Sequence, residues 1–398
     1  MLITVAACTI LLGISVCYGI HCSSEDGNNY LRFFNETINL VTFIPTFIKV
    51  YLIGIFETIV IILWQRGIFG SYSRRDNIRN VEKIIYSNNV QKGSRLAVVT
   101  GGDSGIGLEI VCGLLKAGYR VIIASRENQL QKFARDKFSQ ATDDFDRIQY
   151  HTVDLASFSS VQEFVSTLQK TVSKGGIDLL INNAGVMNVK YRVTEDNLES
   201  QFQINCLSPL LLSISLLPWM NVRDGSRILF ASSSTLYAVR ELDVDMAKRC
   251  YQWDGLTHYA HSKLAVAIST LCLANELEKH TDKVKIYCFH PGTVRTGLFS
   301  HTTIFGLPLL SYLFDFIMLS PMEGCRTPLY LALSPYLKPK SGEYWANCIT
   351  HPLPQMHRLA MAQYSKDNIW RKLLDYCYLQ HSKVENILES IHSNEVEN

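Results

Sequence analysis
One eight-residue turn constrains this 398-residue chain more than any other feature: Thr100-Gly-Gly-Asp-Ser-Gly-Ile-Gly107, between an apolar strand and an apolar helix. The strand reads Ser94 to Thr100, with Leu96, Ala97, Val98 and Val99 in succession. The helix that follows carries Ile106, Leu108, Ile110, Val111, Leu114 and Leu115. Glycines let a backbone approach a pyrophosphate closely, and a helix N-terminus offers free N–H groups and a positive dipole end. A bare glycine pattern is weak, but strand, turn and helix in this order are the context a phosphate-cradling loop requires. Gly101, Ser104, Gly105, Ile106 and Gly107 are therefore the candidate phosphate-side residues.

Further short apolar strands recur at βα spacing, each delivering polar or glycine residues at its carboxyl end. Tyr119–Ala124 ends in Ser125-Arg126, and Ile148–Val153 in Asp154-Leu155. Ile177–Ile181 runs into Asn182-Asn183-Ala184-Gly185, and Arg227–Ala231 into three serines, Ser232 to Ser234. Val284–Phe289 precedes His290-Pro291-Gly292 and Thr293. Strands separated by helical stretches predict an α/β fold with a doubly wound parallel sheet, in which ligands bind at the carboxyl ends of the strands. Arg126 stands where an NAD-preferring fold places an acid on the ribose. A guanidinium there suits the 2′-phosphate of NADP(H), with NAD(H) as the alternative and a solvated loop arginine as the bland reading.

Tyr259-Ala-His-Ser-Lys263 puts a phenol and an ammonium at i and i+4 on one helix face. A phenol is a poor base at neutral pH, but a neighbouring ammonium and an oxidised nicotinamide both favour phenolate. Alone the pair is ordinary helix surface. After a glycine turn, an Asn-Asn-Ala-Gly and a strand-end serine, chance explains it badly. In this order the motifs resemble the short-chain dehydrogenase/reductase family over residues 94–350, and NNAGVM, HSKLA and the insert between Ser233 and Tyr259 are similar to its membrane-bound, retinol-dehydrogenase-like branch. Leu236 to Met246 is similar to members acting on polyprenols and dolichal. The resemblance implies a Rossmann-like single catalytic domain and a CH–OH oxidoreductase. It makes Tyr259 the general acid/base, Lys263 its electrostatic partner and ribose ligand, and Ser233 the carbonyl-orienting hydroxyl. By the same resemblance Asn205 supports a water relay, Asp154 and Leu155 meet the adenine, Asn183 steadies the sheet, and Pro291 and Thr293 contact the cofactor.

Composition fills in the rest. Apolar residues make up 47% and charged residues 19%, which excludes a disordered chain. A net charge of +2 gives no support to nucleic-acid binding. Eleven cysteines without CxxC or Cys/His ligand spacing suggest neither a disulfide scaffold nor a metal site. His261 and His290 lack metal-ligand spacing and read as packed or solvated histidines.

The apolar surplus lies at the front. Residues 1–22 read as a signal peptide or signal anchor, and 46–64 as a transmembrane segment flawed by Lys49 and Glu57. If the second segment spans, the excess of Arg and Lys beyond residue 65 places the domain in the cytosol, on the endoplasmic reticulum or a lipid droplet. Asn35 would then be a lumenal sequon, and Cys112, Cys206, Cys250 and Cys272 reduced thiols. Leu298 to Leu319 is strongly apolar; the resemblance makes it the segment that covers the substrate, with ordinary core packing as the alternative. Residues 351–398 read as an amphipathic helix, Leu359 to Leu379, and a polar tail. Together these point to a lipophilic alcohol or its aldehyde or ketone, with polyprenol/dolichal, retinoid and steroid as the candidate classes and the bilayer as a partner. The rival is a catalytically silent nucleotide-bound protein. Oligomeric state is left open.

Overall fold
The computed structural model describes residues 44–65, 74–87, 91–172, 176–220, 225–249, 254–299, 318–335, 340–351 and 365–396, with 337 and 353 singly. The first apolar stretch, the Asn35 sequon, Cys250 and most of the Leu298–Leu319 segment lie outside these residues. Two helices, α1 (Thr46–Gln65) and α2 (Arg74–Tyr86), precede β1 (Leu96–Thr100), α3 (Gly105–Lys116), β2 (Arg120–Ser125), α4 (Lys132–Ser139), β3 (Ile148–Thr152) and α5 (Phe158–Thr171). Then come β4 (Leu179–Asn182), α6 (Ser200–Met220), β5 (Ser226–Ala231), α7 (Gly255–Leu277), β6 (Val284–His290) and α8 (Arg326–Leu333). The strands β7 (Tyr344–Ala346) and β8 (Ile349–His351) and the helices α9 (Ser365–Tyr376) and α10 (His381–Val396) complete the chain.

The eight strands form one sheet in the order β3-β2-β1-β4-β5-β6-β7-β8. All neighbours are parallel except β7 and β8. Parallel strands covered on both faces need apolar side chains on both, and every residue of Leu96–Thr100 and of Leu179–Asn182 is buried. The doubly wound expectation holds, and the strand order reverses between β1 and β4, where such sheets open a crevice. Helices α5, α6 and α7 cover one face, packing Leu168, Leu212 and Leu264 with Val98 and Ile228. Helices α2, α3 and α8 cover the other, with Val81, Leu114 and Leu329 against Val99 and Leu229. Although α6 is long and apolar enough to cross a membrane, most of it is buried inside the domain. Cys112, Cys206 and Cys272 are buried and form no disulfide.

Three features were not anticipated. Asn347 and Cys348 both take positive φ (52° and 64°), which makes the two-residue turn joining the antiparallel β8 to β7. The polar tail folds as α10, because Val384, Leu388 and Ile391 recur at helical spacing and all are buried against the core. Helix α1 lies along the catalytic domain instead of standing apart from it. Val50, Ile53 and Phe56 on it are buried, as is Ile44 just before it, while Phe47 and Ile55 are exposed. This differs from a spanning helix with lipid all round, since Glu57, the flaw in that segment, has protein partners deep in the domain.

Candidate active site
The carboxyl ends of β1, β2, β4, β5 and β6 surround a cavity of about 760 Å³, and α1 closes one side of it. At the phosphate end, Gly101 and Gly105 have φ of +62° and +53°, which side-chain-bearing residues rarely adopt. A Cβ on Gly107 would stand 1.9 Å from the carbonyl oxygen of Gly101, so no other residue fits. Ser104 caps α3 without a side-chain hydrogen bond, which leaves the helix N-terminus facing the cavity. Ile106 packs on Val294 and Leu319, holding the turn against the segment after β6. This cradle fits a pyrophosphate.

Asn183 acts within the sheet. Its Nδ2 donates to the carbonyls of Thr100 (3.2 Å) and Gly101 (3.3 Å), and Thr100 Oγ1 accepts from the Asn183 and Ala184 amides. Arg126 is exposed at the rim beside Ser125. Asp154 turns its carboxylate to the Ala156 amide at 2.9 Å, next to buried Leu155. Pro291, Gly292 and Thr293 line the opposite wall.

Tyr259, Lys263, Ser233 and Asn205 converge where β4, β5 and α7 meet, and all four are buried. The three serines after β5 have separate tasks. Ser232 Oγ donates to the Lys263 carbonyl (2.8 Å) and Ser234 Oγ to Glu57 (2.7 Å), while Ser233 is the one bonded to Tyr259. Asn205 occupies a π-turn, Gln203–Leu207, inside α6. Its Oδ1 accepts from the Val186 amide at 2.8 Å, and its Nδ2 donates to the Val186 carbonyl (3.0 Å) and Ser262 Oγ (2.9 Å). A Cβ on Gly185 would meet Asn205 Oδ1 at 3.0 Å and Lys263 Nζ at 3.3 Å, so this glycine permits their approach. Lys263 Nζ donates to the Ala231 carbonyl at 2.8 Å and lies 5.6 Å from the centroid of the Tyr259 ring.

Burial pushes the phenol of Tyr259 up to about 12, against the hydrogen bond from Ser233 that favours its ionised form; the Glu57 charge adds to the rise. Burial also brings the Lys263 ammonium down to about 8. Desolvation therefore decides the proton affinity of both groups here.

Sequence reasoning took Glu57 only as a flaw in a membrane segment and His290 as a packed or solvated histidine. His290 is indeed buried, but it lines the cavity with Nε2 2.6 Å from Glu57 Oε1. An acid alone in the middle of an apolar helix was the available signal. His261 stays peripheral, its Nδ1 accepting from the Asp243 amide at 3.4 Å. The insert before Tyr259 docks the C-terminal helix α9, where Asp245 meets Lys372 and Tyr376.

The short chain dehydrogenase family model matches residues 95–303. The chain belongs to that family. Curated relatives include retinol dehydrogenase 14 of Mus musculus, 34% identical over 265 residues, covering 64% of this chain and 78% of the relative. Polyprenol dehydrogenase of Homo sapiens is 34% identical over 261 residues, covering 64% and 77%. Among solved structures, an uncharacterized protein from Mycobacterium paratuberculosis aligns with a TM-score of 0.54 at 24% identity, over 74% of this chain and 97% of that one. As a short-chain dehydrogenase of the retinol-dehydrogenase-like branch, the protein is an NAD(P)-dependent oxidoreductase.

Proposed function
We propose that this short-chain dehydrogenase is membrane-attached, uses NADP(H), and interconverts a long-chain lipophilic alcohol with its aldehyde or ketone. The observation that carries this reading is the continuity of one cavity. It runs from the glycine cradle, past Tyr259 and Ser233, to an apolar wall of Val50, Tyr51, Ile55, Leu298 and Met318. An extended apolar chain gains about 0.8 kcal/mol for each methylene it buries there. The relatives named for retinol and polyprenol act on apolar alcohols by their names, which supports the same class. Arg126 at the rim suits a 2′-phosphate, and the outward Phe47 of α1 suits the acyl boundary of a membrane. The uncharged first stretch of residues 1–20 supplies the attachment.

When bound in the glycine cradle, the cofactor would supply the hydride in reduction and take it up in oxidation, and its oxidised form would carry a positive charge. The protein's own groups do the rest. Ser233 holds the substrate oxygen next to the Tyr259 hydroxyl, which gives up or takes the proton. Lys263, anchored on Ala231, lies close enough to stabilise phenolate once the site is charged. Asn205 keeps the Val186 segment and Ser262 in register beneath it.

The test is Tyr259→Phe, assayed with farnesal, retinal and short aldehydes against NADPH and NADH. Turnover is expected to fall by about 10²–10⁴-fold while NADPH fluorescence titrations match those of the parent. Retained turnover in the variant overturns the assignment. Equal rates with both cofactors overturn the NADP preference.

A further inference from the structure
Glu57 belongs to no motif, and it sits in the middle of an apolar helix. Burying a carboxylate there is costly unless every lone pair finds a donor. Its donors come from far along the chain. Oε2 accepts from Ser234 Oγ at 2.7 Å, and Oε1 from His290 Nε2 at 2.6 Å, the imidazole donating because a carboxylate only accepts. The Thr293 side chain bonds it as well. Ser234 opens the turn that begins at Ser233, His290 ends β6, and Thr293 follows the Pro291-Gly292 turn. One carboxylate thus joins α1, the Ser233 turn and the loop after β6, and all three line the cavity that holds Tyr259.

A plain clasp holding α1 to the domain could have formed anywhere along the helix. This one lands on the residue next to Ser233. We infer that Glu57 is a positioning residue of the proton-exchange centre. It fixes the Ser233 turn and the His290–Thr293 loop under the substrate, and its charge sets how tightly Tyr259 holds its proton. The inference rests on Tyr259 being the acid/base. The charge acts among a defined set of groups: His290 on β6, Tyr344 on β7, His351 on β8, and Tyr259 on α7, whose ring centroid lies 5.6 Å from Lys263 Nζ. Glu57 opposes ionisation of the phenol, so it favours the protonated tyrosine that a reduction needs.

The test uses Glu57→Gln in the full chain, since glutamine keeps the shape and an acceptor for Ser234 but removes the charge. The phenol is read directly as tyrosinate absorbance against pH, with Tyr259→Phe as the subtracted reference, so the readout does not depend on turnover. The Tyr259 component is expected to titrate at lower pH in the variant. The alkaline rise of farnesol oxidation with NADP is expected to move the same way. A titration and a rate profile that coincide with the parent overturn the inference. Glu57→Ala, which also loses the geometry, is expected to lower kcat by about tenfold or more. If that variant does not fold, the glutamine variant decides alone. Turnover retained by Tyr259→Phe sinks the acid/base reading itself. A dead Tyr259→Phe with an unshifted Glu57→Gln sinks only the role of Glu57.

Discussion

At the scale of single residues, the site is built from groups held against their own preferences. Lys263 is buried with one backbone acceptor, and its proton affinity falls to about 8 from an ordinary value of 10.5. The unfolded chain then binds more protons than the folded one between those values, so stability rises as pH climbs from about 8 to 10.5. Below pH 8 the buried ammonium costs on the order of 3 kcal/mol. Lys263→Met is expected to melt a few degrees above the parent at pH 7, with the gap narrowing as pH approaches 10. A thermal melt of the cofactor-free protein at the two pH values checks it, and a gap that does not narrow contradicts the burial argument. Tyr259, Lys263, Ser233 and Asn205 were legible in the sequence because each sits in a short local pattern. Glu57 was not, because its partners Ser234 and His290 lie 177 and 233 residues away and hydropathy reads a buried acid only as a defect in a lipid-facing segment.

At the scale of elements, legibility followed the period of the pattern. Continuous apolar runs such as Leu96–Thr100 announced buried parallel strands, and their order along the chain implied the sheet. Helix α10 stayed hidden because its five apolar residues are scattered among eleven polar ones and give a weak stripe, visible only once the core it meets is in place. Helix α1 carries the most consequential element-scale prediction. Gly54 lines the cavity, and a Cβ built on it meets nothing within 4 Å. A glycine inside a helix costs about 1 kcal/mol relative to alanine, so larger residues are favoured by the backbone. Gly54→Leu is therefore expected to fold at least as well while its side chain fills part of the channel. The ratio of kcat/KM for farnesal over that for butanal is expected to fall by about tenfold or more. An unchanged ratio places the substrate chain elsewhere.

At the scale of the whole molecule, the seat of Glu57 restricts how the chain meets a membrane. Helix α1 can place Glu57 between Ser234 and His290 only if it lies on the same side of the bilayer as the catalytic domain. A spanning α1 separates residues 22–45 from everything after residue 65, whereas a docked α1 keeps them together. The flanking charges point to the first arrangement, because counting Arg and Lys beyond residue 65 treats the helix as isolated. The docked arrangement follows from packing, which that count ignores: Val50, Ile53 and Phe56 are already covered by protein and have little apolar surface left for lipid. An epitope inserted after Gly27, in sealed microsomes treated with protease, separates the two. Docking predicts that the epitope and the catalytic domain are digested together or protected together, whichever side they occupy. Opposite fates return α1 to the bilayer and remove Glu57 from the active site. The same result then forces the apolar wall of Val50, Tyr51 and Ile55 out of the cavity, and with it the structural basis for a long-chain substrate.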